Sequence, residues 1–304
     1  MIDRETVKEA LTGPIASIRT PFAADGSVDF DALRAVVDFN IEAGSKVSLL
    51  TAGDSHYSVL SEDEITEVTR VVAEHTGDRA LTVAADREYP TDRAVEFARA
   101  ARRLGADVIM VKPPDWAGSV TADNYVAHYR AVAEVMPVMV VTNVFRNRGD
   151  DFGLKVLKAV RDSVDGVVAL KDDVCGVFAR RAAALLHDRW AVFAGGQKQN
   201  HLNMHPYGCH GYMSVFLCFK PEVAYRYWAA ICSDDVREAG RIVREIEWPL
   251  FDLMGGMPGG SATGMRGVLE LFGICERWRR PPYPSLTDRQ MAELEAGLKE
   301  LDIL

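Results

Sequence analysis

The chain has 304 residues, 48% of them hydrophobic and 26% charged, which gives a globular protein with a large core and excludes a disordered or fibrous one. A formal net charge of -9 at pH 7, with Lys and Arg dispersed along the sequence, argues against a nucleic-acid partner. The acidic start Ile2-Asp-Arg-Glu5 is unlike a signal peptide and no apolar run reaches membrane-spanning length, so a cytoplasmic protein with no membrane partner is expected.

In chain order, short apolar runs alternate with amphipathic segments up to about residue 232. Strands are predicted at 14–18, 47–51, 81–85, 108–111, 138–142, 166–170, 191–195 and 212–216. These runs are apolar throughout, as in a parallel sheet buried on both faces, and eight of them predict a (β/α)8 barrel. The helices between them carry start signals. Ser61-Glu-Asp-Glu64 reads as a capping box and Thr91 as a cap, and the spacing of Ile65, Val68, Val71 and Val72 gives one apolar face. Beyond 232 the pattern is helical only, at 236–253, 265–272 and 288–301, with the Gly-rich 255–260 read as an interhelical loop. The expected organisation is a barrel over 1–232 and a helical extension over 233–304. Five cysteines without Cys-x-x-Cys spacing read as mostly buried small hydrophobes.

Barrel enzymes carry their chemistry where strands end. The polar residues there are Thr51 to His56, Asp86 and Arg87, Lys112, Thr142 and Asn143, Lys171 to Asp173, and Gly195 to Gln197. Lys171 ends the run Gly-Val-Val-Ala-Leu, a position inside an apolar mouth where burial favours the neutral amine that attacks a carbonyl. The alternative is a lysine paired with Asp172 or Asp173, and Lys112 is the competing amine.

The stretch Asp165-Gly-Val-Val-Ala-Leu-Lys171-Asp-Asp resembles the Schiff-base strand of the dihydrodipicolinate synthase and N-acetylneuraminate lyase family. Thr20-Pro-Phe22, Gly26-Ser-Val-Asp29, Leu60-Ser-Glu-Asp-Glu64, Gly208-Cys-His-Gly-Tyr-Met-Ser-Val215 and Arg279-Arg-Pro-Pro-Tyr-Pro-Ser285 agree in order and spacing over essentially the whole chain. The resemblance implies an aldolase-type barrel with a three-helix tail, usually a homodimer or homotetramer. It also implies a small-molecule 2-oxo acid substrate held as a covalent imine on Lys171, without cofactor or metal. Gly195, Asn143 and Met213 fall at expected substrate-binding places.

The departures fall on functional positions. Where the family holds the substrate carboxylate with two hydroxyl residues and backbone amides, this chain reads Ala52-Gly-Asp-Ser-His-Tyr57, with Asp54 on the second hydroxyl position. An ionised Asp54 repels a carboxylate, so Gly53, Ser55 and His56 are left to bind the anion, and Asp54 is protonated, paired with Arg87, an acid or base, or simply a turn residue. The family's proton-relaying tyrosine is replaced by Thr142, which positions a water or hydroxyl but cannot relay a proton, leaving His56, Tyr57 or Tyr212 as substitutes. Asn147 stands at the position of a family arginine, flanked by Arg146 and Arg148. These losses point away from authentic dihydrodipicolinate synthase and toward a divergent Schiff-base lyase, an aldolase or dehydratase with Lys171, Thr142 and His56 as catalytic residues. Two alternatives stand beside it: a metal-dependent barrel using His201, His205 and His210 with Asp54, His56 and Asp86, and a non-catalytic barrel that has lost the family chemistry. Trp116 reads either as a contact to an apolar substrate portion or as a packed loop residue.

Overall fold

Eight parallel strands and their connecting helices form the body of the molecule, described over residues 2–304 by a computed structural model. The strands are β1 (Gly13–Ile15), β2 (Val47–Leu49), β3 (Leu81–Ala85), β4 (Val108–Val111), β5 (Val138–Val141), β6 (Val167–Asp172), β7 (Ala191–Ala194) and β8 (Gly211–Met213). Each pairs with its neighbours in order, and β8 pairs with β1. A bridge between Ser17 and Leu49, with the Ile18 amide donating to the Leu49 carbonyl, closes the ring between β1 and β2. Val, Ile, Leu and Ala dominate the strands because the outer face lies under helices and the inner face fills the barrel.

Five strands stop short of their predicted C-terminal ends, at Ile15, Leu49, Val141, Ala194 and Met213, and 142–145 and 215–218 wind into 3-10 turns. β6 runs on instead through Lys171 and Asp172, because Asp172 continues the ladder beside Ala194. The Ser61 capping box is present, whereas Thr91 is the first helical residue and its hydroxyl meets His128 Nδ1 at 2.9 Å instead of capping.

The extension begins with α1 (Val236–Ile242), followed by a π-helical turn over Val243–Glu247, α2 (Trp248–Gly255), α3 (Ser261–Leu271) and α4 (Asp288–Glu300). The predicted single helix over 236–253 is thus interrupted by the π turn. There Glu247, fully buried, accepts from the Lys198 ammonium at 3.1 Å and from the Lys198 and Gln199 amides at 3.2 and 3.1 Å. This ion pair ties the extension to the segment after β7, and Lys198 Nζ lies 4.3 Å from the Phe216 ring centroid. Of the cysteines, Cys209, Cys218 and Cys275 are buried, Cys175 is half-buried and Cys232 is exposed. Among the described residues no helix is long and apolar enough to cross a membrane.

Candidate active site

Lys171 lies in register with Val141 of β5 and Phe193 of β7, so its side chain enters the barrel mouth between apolar neighbours. Its ammonium is nearly buried and sits 2.5 Å from Asp173 Oδ1. The pairing weighed as an alternative to a free amine is therefore present, with Asp173 as the partner. Gly195 makes room for it: a Cβ there would stand 1.9 Å from Asp173 Oδ1 and 2.7 Å from Lys171 Nζ, closer than real atoms approach. Behind the pair, the buried Thr142 hydroxyl donates to Asp172 Oδ1 at 2.9 Å and accepts from the Asp173 amide at 2.8 Å. Asp172 also accepts from Asn200 Nδ2 and the Cys175 amide, each at 3.0 Å. Thr142 is thus a brace under the Lys171–Asp173 turn, and its hydroxyl is already engaged away from the mouth.

The cavity in front of Lys171 measures about 240 Å³. Ala52, Met110, Val141 and Met213 form its apolar wall, and Thr51, Gly53, Asp54, Asp86, Lys112, Asn143 and Asp173 the rest. Asp86, at the C-terminal end of β3, is 1% exposed. Its Oδ1 accepts from the Lys112 amide at 2.8 Å, and its Oδ2 has no partner among the described residues. Burial pushes this carboxyl up to about 7, against the opposing pull of the Lys112 amide. Lys112 pairs with Glu88 at the rim, and Asn143 Oδ1 is buried without a partner.

A second cavity of about 370 Å³ lies between the mouth and the extension, meeting the first at Gly53, Asp54 and Met213. Asp54 pairs with Arg19 at 3.3 Å and accepts from Ser17 Oγ at 2.6 Å, whereas Arg87 donates to the carbonyls of Tyr57 and Leu60. Burial raises the Asp54 carboxyl, but Arg19, Ser17 and Lys171 outweigh it and hold it below the usual carboxylate range. Asp54 is therefore an ionised partner of Arg19, and of the alternatives open to it neither protonation nor pairing with Arg87 is found.

The loop places the remaining predicted residues unevenly. Gly53 stands open at the junction, with nothing within 4 Å of a Cβ position. Ser55 is fully buried, donating to the Ile18 carbonyl at 2.6 Å and accepting from the Thr51 amide at 3.1 Å, so it braces the loop and its hydroxyl is engaged within the protein. A left-handed turn at His56, φ 60°, carries its ring into the second cavity rather than toward Lys171. There burial, then Arg266 and Arg279, push its imidazole down to about 3, so it is neutral. The other substitutes for the tyrosine are also turned away. Tyr57 is fully buried, with its phenol pushed upward by burial, and Tyr212 donates to the Ala224 carbonyl at 2.8 Å beneath the outer helices.

The metal-ligand set does not converge. His201 bonds Tyr227 at 2.9 Å, His210 accepts from the Val192 amide at 3.0 Å, and among the described residues no three such side chains come together. Trp116 is 89% exposed and neither packs nor lines the mouth. Arg146 donates to the Asp173 carbonyl at 3.0 Å, and Arg148 pairs with Asp115. The site residues that sequence reasoning underweighted are Thr51, Asp86 and Asp173. Each follows a strand, so position alone marked them, but only burial and direction show what they face.

A family model described as the dihydrodipicolinate synthetase family matches residues 10–301. A 4-hydroxy-tetrahydrodipicolinate synthase from Chlorobaculum parvum is 27% identical over 297 residues, covering 97% of this chain and 98% of the relative. A probable 5-dehydro-4-deoxyglucarate dehydratase from Streptomyces coelicolor is 26% identical over 292 residues, covering 93% and 90%. The crystal structure of N-acetylneuraminate lyase from Fusobacterium nucleatum superposes with a TM-score of 0.83 at 16% identity, covering 96% of this chain and 99% of that one.

Proposed function

The chain belongs to the dihydrodipicolinate synthetase family, whose enzymes are lyases, and we propose that it is a Schiff-base lyase acting on a 2-oxo acid such as pyruvate or a sugar-derived keto acid. The observation that carries this reading is the joint placement of Lys171 and Asp86, an amine and a carboxyl poised near neutrality, on the wall of one small cavity. In this reading the Lys171 amine, having passed its proton to Asp173, attacks the substrate C2 carbonyl. The carbinolamine takes that proton back from Asp173 and loses water to give the protonated imine, an electron sink for the next bond broken. Thr51 and the amides of Ala52 and Gly53 hold the C1 carboxylate, while Asp54, neutralised by Arg19, stands beside the open Gly53.

Asp86 takes the place of the absent tyrosine as the group that moves a proton. In cleavage it accepts the C4 hydroxyl proton as the C3–C4 bond breaks and an aldehyde departs. In dehydration it accepts the C3 proton and hands it to the C4 hydroxyl, which leaves as water. Thr142 acts through the Lys171–Asp173 turn as a positioning residue, and Asn143 and Met213 face the substrate. The proposed assembly is a homodimer or homotetramer, to be read by light scattering.

The deciding experiment is intact-protein mass spectrometry after borohydride reduction with pyruvate and a panel of sugar-derived 2-oxo acids. The wild type should gain a stable adduct that Lys171→Ala cannot form. No adduct with any 2-oxo acid would overturn the imine reading.

A further inference from the structure

We propose that the second cavity is an anion subsite taking a carboxylate or phosphate at the far end of the substrate, so that the substrate is a 2-oxo acid with two anionic ends; this rests on the imine reading above. Three guanidiniums line the cavity, those of Arg19, Arg266 and Arg279, and only Arg19 has a carboxylate, Asp54, at 3.3 Å. Arg266 is 1% exposed. Its Nη2 donates to the Thr20 carbonyl at 2.7 Å, while Nε and Nη1 have no partner among the described residues. Arg279 is buried with its guanidinium 4.4 Å over the Tyr283 ring; it donates through Nη1 to Thr263 Oγ1, and its Nε is unpartnered.

Burying two cations without an opposite charge is strongly unfavourable, and structures keep such an arrangement where something else supplies the charge. The neighbours do not supply it. Burial pushes the Cys275 thiol beside Arg266 upward, so it stays neutral, and His56 is neutral as well. A planar carboxylate or a phosphate matches the fork geometry of paired guanidiniums.

The backbone points the same way. Ser261 and Ala262, the first residues of the 11-residue helix α3, line the cavity, and the N-cap residue Gly260 offers no side chain to the first-turn amides. The positive end of that helix therefore faces the same space as Arg266 and Arg279. Gly53, Asp54 and Met213 belong to the walls of both cavities, so one ligand can extend from Lys171 into the cationic chamber. At the junction the charge of Arg19 is taken up by Asp54 and Met213 is apolar, so an anion midway finds no counter-charge. The two charged ends are thus held apart, one at Thr51–Gly53 and the other between Arg266 and Arg279.

The test compares borohydride trapping of 2-oxoadipate and 2-oxohexanoate, equal in chain length and different only in the terminal carboxylate. In the wild type the diacid should half-saturate trapping at a concentration at least tenfold lower. Arg266→Gln and Arg279→Gln should each bring the ratio toward one, and Arg279→Lys should restore part of it. A second arm needs no imine: titration calorimetry of adipate and of inorganic phosphate into Lys171→Ala protein. Binding there that raised salt weakens and Arg266→Gln removes supports the subsite, and preference for phosphate assigns a phosphorylated far end. Equal half-saturation for the two keto acids in the wild type overturns the subsite and leaves the imine standing. Absence of adducts with adipate binding intact overturns the imine and keeps the subsite, and absence of both overturns both.

Discussion

Substituting Asn for Asp86 should move stability and catalysis in opposite directions. Burial lifts this carboxyl from the ordinary 3.8 to about 7. At about 1.36 kcal/mol per tenfold change, its ionised form is therefore disfavoured by roughly 4 kcal/mol in the folded protein relative to the unfolded chain. The folded state keeps the proton up to about pH 7 whereas the unfolded state releases it near 4, so stability is full below pH 4 and declines as pH rises to 7. Asparagine removes that decline. Its oxygen still accepts from the Lys112 amide, but its NH2 group replaces an oxygen that already lacked a partner, at a cost of about 1–3 kcal/mol. The variant should accordingly be about 1–3 kcal/mol more stable than wild type at pH 8 and no more stable at pH 4, as urea denaturation at both values will show. Its chemistry should fail. Deuterium exchange at C3 of pyruvate in D2O, followed by proton NMR, should show a limb near pH 7 in the wild type and fall by about 10²–10⁴-fold in Asp86→Asn, with the borohydride adduct still forming. Wild-type exchange with the same limb in the variant would refute Asp86 as the proton carrier, and a stability difference independent of pH would refute the burial argument.

Gly195→Ala drives a methyl group into Asp173 and Lys171, and should slow adduct formation at least tenfold while costing about 1–3 kcal/mol in denaturant titration. Thr142→Val removes the brace under the Asp172–Asp173 turn and should cost about 1–3 kcal/mol, yet leave measurable C3 exchange; complete loss of exchange in a folded variant would restore Thr142 to the catalytic set. Lys198→Met leaves Glu247 buried and unpaired, at a cost of about 3–5 kcal/mol, and adding Glu247→Leu should recover most of it; a double variant no more stable than the single would show that the two backbone hydrogen bonds to Glu247, not charge balance, hold this joint.

The barrel was legible because its strands are runs of apolar residues at a steady spacing, a pattern that depends only on both faces being covered. Lys171 was legible for the same reason, as a single cation at the end of such a run. What the sequence could not convey is direction. Thr142 and His56 stand one or a few residues past strand ends, as Asp86 does, and all three read alike as polar residues at the mouth. The hydroxyl of Thr142 turns back under the following strand, a single left-handed residue swings His56 into the neighbouring chamber, and Asp86 alone stays on the Lys171 wall. Arg19 was invisible as the partner of Asp54, since the two are joined by closure of the ring between β1 and β2 rather than by any spacing. Arg266 lies 247 residues from Arg19 in the chain, and only the packing of the extension on the mouth brings them to one cavity.

The π turn at Val243–Glu247 takes up one residue more than an α-helical turn would. In an α-helix each residue advances the winding by about 100° and about 1.5 Å. A π turn winds less per residue, so one residue can be lost here as the turn tightens to α without rotating α2 far. Phe251 and Met254 would keep their place on the wall of the second cavity, whereas a deletion inside α2 itself, where nothing can tighten, would swing the residues after it by about 100°. The turn is therefore slack stored in the joint, and Glu247, tied to Lys198 and Gln199, stands in it.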